Sequence, residues 1–250
     1  MTGTAAPHPT PFSFTIRIGE ECLNVSGSVP EGECAVEALV PLLLGVGEGI
    51  VAAAVRQIPP ATRVSCGPGC GACCRQLVPL SLSEAAYLKN QVLPNLPNKH
   101  RKRVEQRIAA AAAALRGGKL LEVLRLLPEE PDPQQRQTVG VRYFLLGLPC
   151  PFLEHESCSI HPQRPLACRE YLVSSPAPHC AHPDQGGVEP VPIPQKPSHA
   201  LIQLDAELTH SPGWRTMIDV LIDAPAAPER TIPQPIDFLK NFLYHLLQSG

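Results

Sequence analysis

Aromatic side chains are scarce in this chain: six Phe, four Tyr and one Trp amount to 4% of 250 residues. The core must therefore rest on Leu, Val, Ile and Ala. An excess of charge of one sign is also lacking, since the formal net charge is -2 and the pI is near 6.5. No global field then attracts nucleic acid or an anionic membrane, and neither partner is expected; a charged partner would have to meet a local patch. The N-terminus, Met1-Thr-Gly-Thr-Ala-Ala-Pro, lacks the charged and apolar regions of a signal peptide, and a cytoplasmic protein is expected. Internal repeats, a Ser-His-Asp arrangement and a phosphate-binding loop are not found. What the chain has in quantity is proline, at 30 residues, and cysteine, at ten.

The periodicities predict a mainly α (α+β) fold, with a small N-terminal β-hairpin and an irregular helical body around a cysteine-ligated metal centre. Residues 1–11 read as a flexible tail, 12–62 as hairpin and amphipathic helix, 63–182 as the cysteine-cluster core, and 183–250 as a Pro-rich excursion with C-terminal helices. Phe12, Phe14, Ile16 and Ile18 alternate with polar residues as a half-buried strand, Gly19-Glu20-Glu21 supplies a turn, and Leu23, Val25 and Val29 lie on the returning strand. The apolar run Ala38–Ile58 is long enough to span a membrane. Its residues nevertheless sort by helical period, with Val36, Leu39, Leu43, Ile50 and Ala54 on one face and Glu37, Pro41, Glu48 and Arg56 opposite, which marks a packed helix.

Further on, Ser81-Leu-Ser-Glu84 has the spacing of a capping box, and a helix beginning near Pro97 is stopped by Gly117-Gly118. The basic run His100-Arg101-Lys102-Arg103 reads as a solvated face. Leu120–Leu127 continues as a short helix that Pro128–Pro133 breaks. Two short helices are expected over 200–209 and 214–222, and a last one carries the stripe Phe238, Leu239, Phe242, Leu243 and Leu246, read as docking on the body.

The cysteines carry the chemistry. Eight of ten fall in two blocks, Cys66-x-x-x-Cys70-x-x-Cys73-Cys74 and then Cys150, Cys158, Cys168 and Cys180. Thiolates bind soft and borderline metals, and 250 residues can build a core without disulfides, so this density points to metal ligation. Cys22 and Cys34 lie apart and read as spectator thiols. Gly67, Gly69 and Gly71 permit tight turns and expose N–H groups to sulfur, while Pro149 and Pro151 clamp Cys150. Pro165 suits the first turn of a helix presenting Cys168 and Tyr171.

Together, Cys66-Gly-Pro-Gly-Cys70-Gly-Ala-Cys73-Cys74-Arg75, Cys150-Pro-Phe-Leu, Cys158-Ser-Ile-His161, Arg164-Pro165 and Cys168-Arg169-Glu-Tyr171 resemble the YkgJ-type cysteine-cluster proteins, a family described as zinc- or iron-chelating. The resemblance covers about residues 66–173. It extends distantly to the flagellin lysine methylases, which implies as one alternative a methyl-transferring enzyme with an iron-sulfur cluster and S-adenosylmethionine. No glycine-rich fingerprint after a clear strand announces a conventional site for that cofactor.

Spacing favours iron-sulfur over zinc. The second block has seven, nine and eleven intervening residues and no second Cys-x-x-Cys, irregular for a structural zinc. The foremost ligands are Cys70, Cys73 or Cys74, Cys158 and Cys168, then Cys66 and Cys150, with Cys180 and His161 behind them. Arg75, Arg164 and Arg169 stand where they would offset the charge of an anionic thiolate centre, or close loops through carbonyls. Tyr171 reads as a helix-core residue. Three roles stay open at this point: a cluster-binding module with a redox or structural role, an enzyme, and an interaction protein held together by zinc. A protein partner or a substrate is compatible with each.

Overall fold

The computed structural model describes residues 9–59, 62–127, 131–222 and 230–249. The expected mainly α architecture holds, with helices joined to small antiparallel strand pairs. Strands β1 (Thr10–Ile18) and β2 (Glu21–Val29) form the N-terminal hairpin, pairing Ile18 with Glu21. Glu21 is therefore already in the strand, and the turn is Gly19-Glu20. The tail expected over residues 1–11 ends earlier than read: Thr10 opens β1, and residues 1–8 lie outside the described residues.

Helix α1 (Val40–Arg56) starts with Pro41 in its first turn, where a missing N–H costs nothing. At its other end Gln57 donates to the Ile18 and Ala53 carbonyls at 2.8 and 3.0 Å and accepts from the Glu20 N–H at 2.9 Å, pinning the hairpin turn to the helix. By length and composition the segment Val36–Arg56 passes as a membrane span, yet 56% of its most apolar 18-residue window is buried inside the protein. Leu43 and Ile50 are buried while Pro41, Glu48 and Arg56 are exposed, as the helical period requires. Glu37 departs from that pattern. It is only 4% exposed, because Asn90 reaches across and donates to its Oε1.

The capping box at Ser81 is present: Ser81 Oγ accepts from the Glu84 N–H at 3.0 Å, and Glu84 Oε2 accepts from the Ser81 N–H at 3.1 Å. It opens α2 (Leu82–Tyr87), which runs into a π turn over Leu88–Val92. Strand β4 (Pro79–Ser81) precedes it and pairs with β7 (Trp214–Thr216). The helix expected over 214–222 is thus a strand followed by α8 (Met217–Ile222), the local apolar pattern having yielded to a long-range backbone pairing. Strand β3 (Cys34–Ala35) likewise pairs with β8 (Thr231–Ile232).

Helices α3 (Asn98–Gly117) and α4 (Leu120–Arg125) follow their patterns. The expected break at Pro128 lies outside the described residues. Helix α5 (Pro133–Phe144) was not read from the sequence; its signal was Asp132-Pro133, since Asp132 caps it by accepting from the Gln135 N–H at 2.9 Å. Helix α7 (Pro197–Thr209) packs on α9 (Pro235–Gln248), whose Phe238, Phe242 and Leu246 are buried, so the last helix docks as expected. The hairpin, α1, α7 and α9 enclose the largest apolar cluster; α2, α3 and α8 enclose a second one with Phe152 and Ile160. The second cysteine block lies between the two. Cys150 and Cys158 pack on the smaller cluster, whereas Leu166, two residues before Cys168, belongs to the larger.

Candidate metal centre

The first cysteine block is a loop ending in a 3-10 turn, Ala72–Arg75, that carries Cys73 and Cys74. Two glycines shape it. Gly69 takes φ +83°, and Gly71 lets the loop approach Leu153 and Glu156, since a Cβ there would stand 2.8 Å from Leu153 Cδ1 and 3.1 Å from the Glu156 Cα. Gly67 meets neither condition. The second block opens with the short hairpin β5 (Leu153–Glu154) and β6 (Ser157–Cys158). Its turn residues His155 and Glu156 are both left-handed, at φ 50° and 55°, and so deliver Glu156 to the first block. There Arg75 grips Glu156 through two bonds, at 2.8 and 3.0 Å, and donates to the Gly71 carbonyl at 2.9 Å. The backbone completes the junction with a 2.7 Å bond from the Cys150 N–H to the Cys74 carbonyl.

Helix α6 (Leu166–Glu170) carries Cys168, but Pro165 caps it rather than lying inside it, and Tyr171 is already extended. That corrects the expected helix-core role of Tyr171. Its hydroxyl accepts from Gln76 Nε2 at 3.2 Å and feels the charge of Cys180, Cys73 and Cys66. Cys180 arrives on the 3-10 segment Ala177–Ala181, which packs on Ala72–Arg75. Ser65 secures this side, its N–H donating to the Val173 carbonyl at 2.9 Å and its hydroxyl to the Ser175 carbonyl.

The two blocks meet. Cys74 interacts electrostatically with Cys73, Cys150 and Cys158, and Cys168 with Cys150, Cys158 and Cys73. Cys66 and Cys180 both interact with Cys70 and Cys73. All ten cysteines are free thiols. Among the described residues no three His, Cys, Asp or Glu side chains stand at the spacing of a closed metal shell. Cys22 and Cys34 are remote, as read, on the hairpin and in β3. His161 interacts electrostatically with Arg164, Glu48 and Arg169.

Burial pushes Cys150 up to about 12 and Cys168 well above the ordinary thiol range. Cys73 is held below that range by the Cys74 thiol, which hydrogen-bonds to its sulfur and is itself raised in consequence. Amide N–H groups assist, donating to the sulfurs of Cys66, Cys150 and Cys158 from Val173, Phe152 and Ile160.

The three arginines divide. Arg75 is spent on Glu156 and Gly71. Arg169, 5% exposed, donates to the Arg164 and Pro162 carbonyls at 3.1 and 2.7 Å and pairs with Glu48, closing the loop ahead of α6. Arg164 faces Cys66, Cys73 and Cys158, and its Nε is buried without a hydrogen-bond partner. A buried donor beside sulfurs fits an anionic thiolate centre. The basic run of α3 also serves this region, beyond the solvated face expected of it. Arg103 holds Glu154 at 2.8 Å, Arg107 donates to the Pro151 carbonyl at 2.9 Å, and His100 Nε2 bonds Ser159 Oγ at 2.9 Å. Beside Cys70 an open cleft of about 720 Å³ is lined by Gly69, Arg75, Phe144, Glu156 and Pro178.

Residues 65–186 match the family model CxxCxxCC, described as "Putative zinc- or iron-chelating domain". No curated protein and no solved structure matches the chain. The matched segment starts beside Ser65, where the first block is anchored, and runs past Cys180, where the last sulfur arrives, so it takes in all eight clustered cysteines. Residues 65–186, just under half of the chain, are thus similar to the CxxCxxCC family of zinc- or iron-chelating domains.

Proposed function

We propose that the chelated metal is iron in an iron-sulfur cluster, held by ligands drawn from Cys66, Cys70, Cys73, Cys74, Cys150, Cys158, Cys168 and Cys180 and serving a redox role in the cytoplasm. The observation that carries this reading is the convergence of both cysteine blocks around Cys73, beside the unpartnered Arg164 Nε. Eight gathered sulfurs exceed the four of a structural zinc shell, and their irregular spacing suits cluster ligation better. Closing the shell needs χ1 rotations of the cysteines, which are within reach of a side chain with a single rotatable carbon-sulfur arm. When bound, such a cluster accepts and donates single electrons. The protein's part is to offset its negative charge through Arg164, to donate N–H groups to sulfur from Val173, Phe152 and Ile160, and to keep water off the deeper sulfurs with the apolar cluster behind Cys150 and Cys158.

The cleft beside Cys70 favours a working centre over a purely structural one. Its volume, about 720 Å³, suits a small molecule or a partner's side chains approaching the sulfurs. A methyl-transferring role stays secondary to this reading, because the cleft adds room for a substrate but no recognisable cofactor site. The deciding experiment is purification without oxygen, followed by metal and sulfide analysis and an absorption spectrum. A brown protein with iron and acid-labile sulfide is expected, bleaching in air. A colourless preparation with stoichiometric zinc and no sulfide overturns the iron-sulfur assignment.

A further inference from the structure

We infer that the chain pairs with a second copy of itself along the free edge of β2, the two N-terminal hairpins joining across a two-fold axis into one four-stranded antiparallel sheet. The hairpin register says which backbone groups that edge offers. Ile18 and Glu21 close a two-residue turn and so exchange hydrogen bonds across the hairpin, and such pairs alternate with pairs whose N–H and C=O groups point outward. Alternation places Pro11, Ser13, Thr15 and Arg17 in the outward set of β1, and Cys22, Asn24, Ser26 and Ser28 in that of β2. Both ends of β1 agree with this assignment: Pro11 sits where no N–H is needed inside the hairpin, and the Arg17 carbonyl accepts from Gln195 Nε2 at 3.1 Å, outside it.

The two edges are treated differently. An exposed strand edge is a template for another strand, and proteins guard it with proline, charge or a bulge. The β1 edge has such guards: Pro11 lacks a donor, Arg17 brings a charge, and the Arg17 carbonyl is already occupied. The β2 edge has none. Cys22, Asn24, Ser26 and Ser28 are exposed and uncharged, their register runs without a bulge, and among the described residues their backbone groups bond nothing outside the hairpin.

A second copy fits this edge because the edge is its own complement. A two-fold axis through Val25 sets Asn24 opposite Ser26 of the second copy and Cys22 opposite Ser28, so that every outward N–H meets an outward C=O. The facing side chains are small and neutral, and the symmetry therefore opposes no like charges; amide against hydroxyl is a favourable cross-strand pair. On the inner face Val25, half-buried in the single chain, meets its own copy on the axis. With no charge of its own, the edge has nothing with which to select an acidic or a basic peptide.

The test is sedimentation velocity of the full chain over a concentration series, with reductant present so that no disulfide through Cys22 links two copies. A species of twice the 26.9 kDa chain mass is expected. Asn24→Lys with Ser26→Lys sets like charges opposite one another across the axis and should return the monomer, whereas Ser13→Lys with Thr15→Lys on the β1 edge should leave the dimer intact; circular dichroism checks each fold. A chain that stays monomeric at every concentration overturns the inference, as does a dimer that survives the β2 substitutions. Amide hydrogen exchange of the unsubstituted chain gives a reading independent of any variant. The N–H groups of Cys22, Asn24, Ser26 and Ser28 should exchange slowly in the dimer and those of Ser13 and Thr15 fast. Equally fast exchange on both edges, or protection of β2 in a monomer, which would put a segment of the same chain on the edge, also overturns it.

Discussion

The backbone N–H of Cys150 donates to the carbonyl oxygen of Cys74 at 2.7 Å, fastening the second cysteine block directly onto the doublet of the first. Around this bond the side chains brace the same junction, with Arg75 holding Glu156 and with Gly71 lying against Leu153. The metal region is therefore built on a joint between distant segments, and perturbing either segment should be felt by the other.

Replacing Cys168 by Ser should lower both metal content and thermal stability. Cys168 lies deep among Cys150, Cys158 and Cys73, and metal bound only by the folded state adds its binding free energy to folding. Elemental analysis beside a thermal melt checks this. A variant with full metal and an unchanged melt shows that Cys168 is not a ligand.

Gly71→Ala should cost about 1 to 3 kcal/mol, the range for forcing an extra carbon into a packed site. The neighbours of the added carbon include the Glu156 Cα, which is backbone and cannot simply rotate away. Denaturant unfolding measures the loss, and weaker metal retention should accompany it. Gly67→Ala, where no atom stands within 4 Å of the added carbon, is the matched control and should be nearly neutral.

Glu84 makes stability depend on pH. Burial pushes its carboxyl from 4.5 up to about 7, against the opposing effect of N–H donation from Leu166 and Ser81. The folded state thus keeps a proton that the unfolded chain releases, and the contribution of this group to stability falls as pH rises from 4.5 to about 7, then levels off. The fall amounts to about 3 kcal/mol at most. Measured between pH 4 and 8, the stability difference between the unsubstituted chain and Glu84→Gln should decline across that window. A difference independent of pH would show that Glu84 ionises normally.

Phe242→Ala should destabilise by about 3 to 5 kcal/mol, the usual cost of emptying an aromatic site in a core. Phe242 is 0% exposed between α9 and the main apolar cluster. Exposed Leu247 on the same helix, 64% accessible, should tolerate Ala with little change. Equal losses at both positions would argue that α9 is not docked in solution as it is here.

Local patterns made much of this legible. The alternation of Phe12 to Ile18, the capping box from Ser81 to Glu84 and the stripe from Phe238 to Leu246 are patterns written within a few residues of sequence, and each element formed as read. Readings failed where a distant segment intervened. Trp214–Thr216 became a strand because β4 offered it hydrogen bonds, and Glu37 was buried because Asn90 met it from another helix.

The same division runs through the metal region. Residue type and count determined its chemistry, because thiolate density selects soft metals whatever the fold. Spacing along the chain does not say which way a sulfur points. That Arg169 closes a loop while Arg164 faces the sulfurs, that the Tyr171 hydroxyl feels the charge of Cys180, and that Cys180 joins Cys66 and Cys70 were decided by the packing of the 3-10 segments and α6. Side-chain direction is set by contacts between segments far apart in sequence, and only the tertiary structure brings those together.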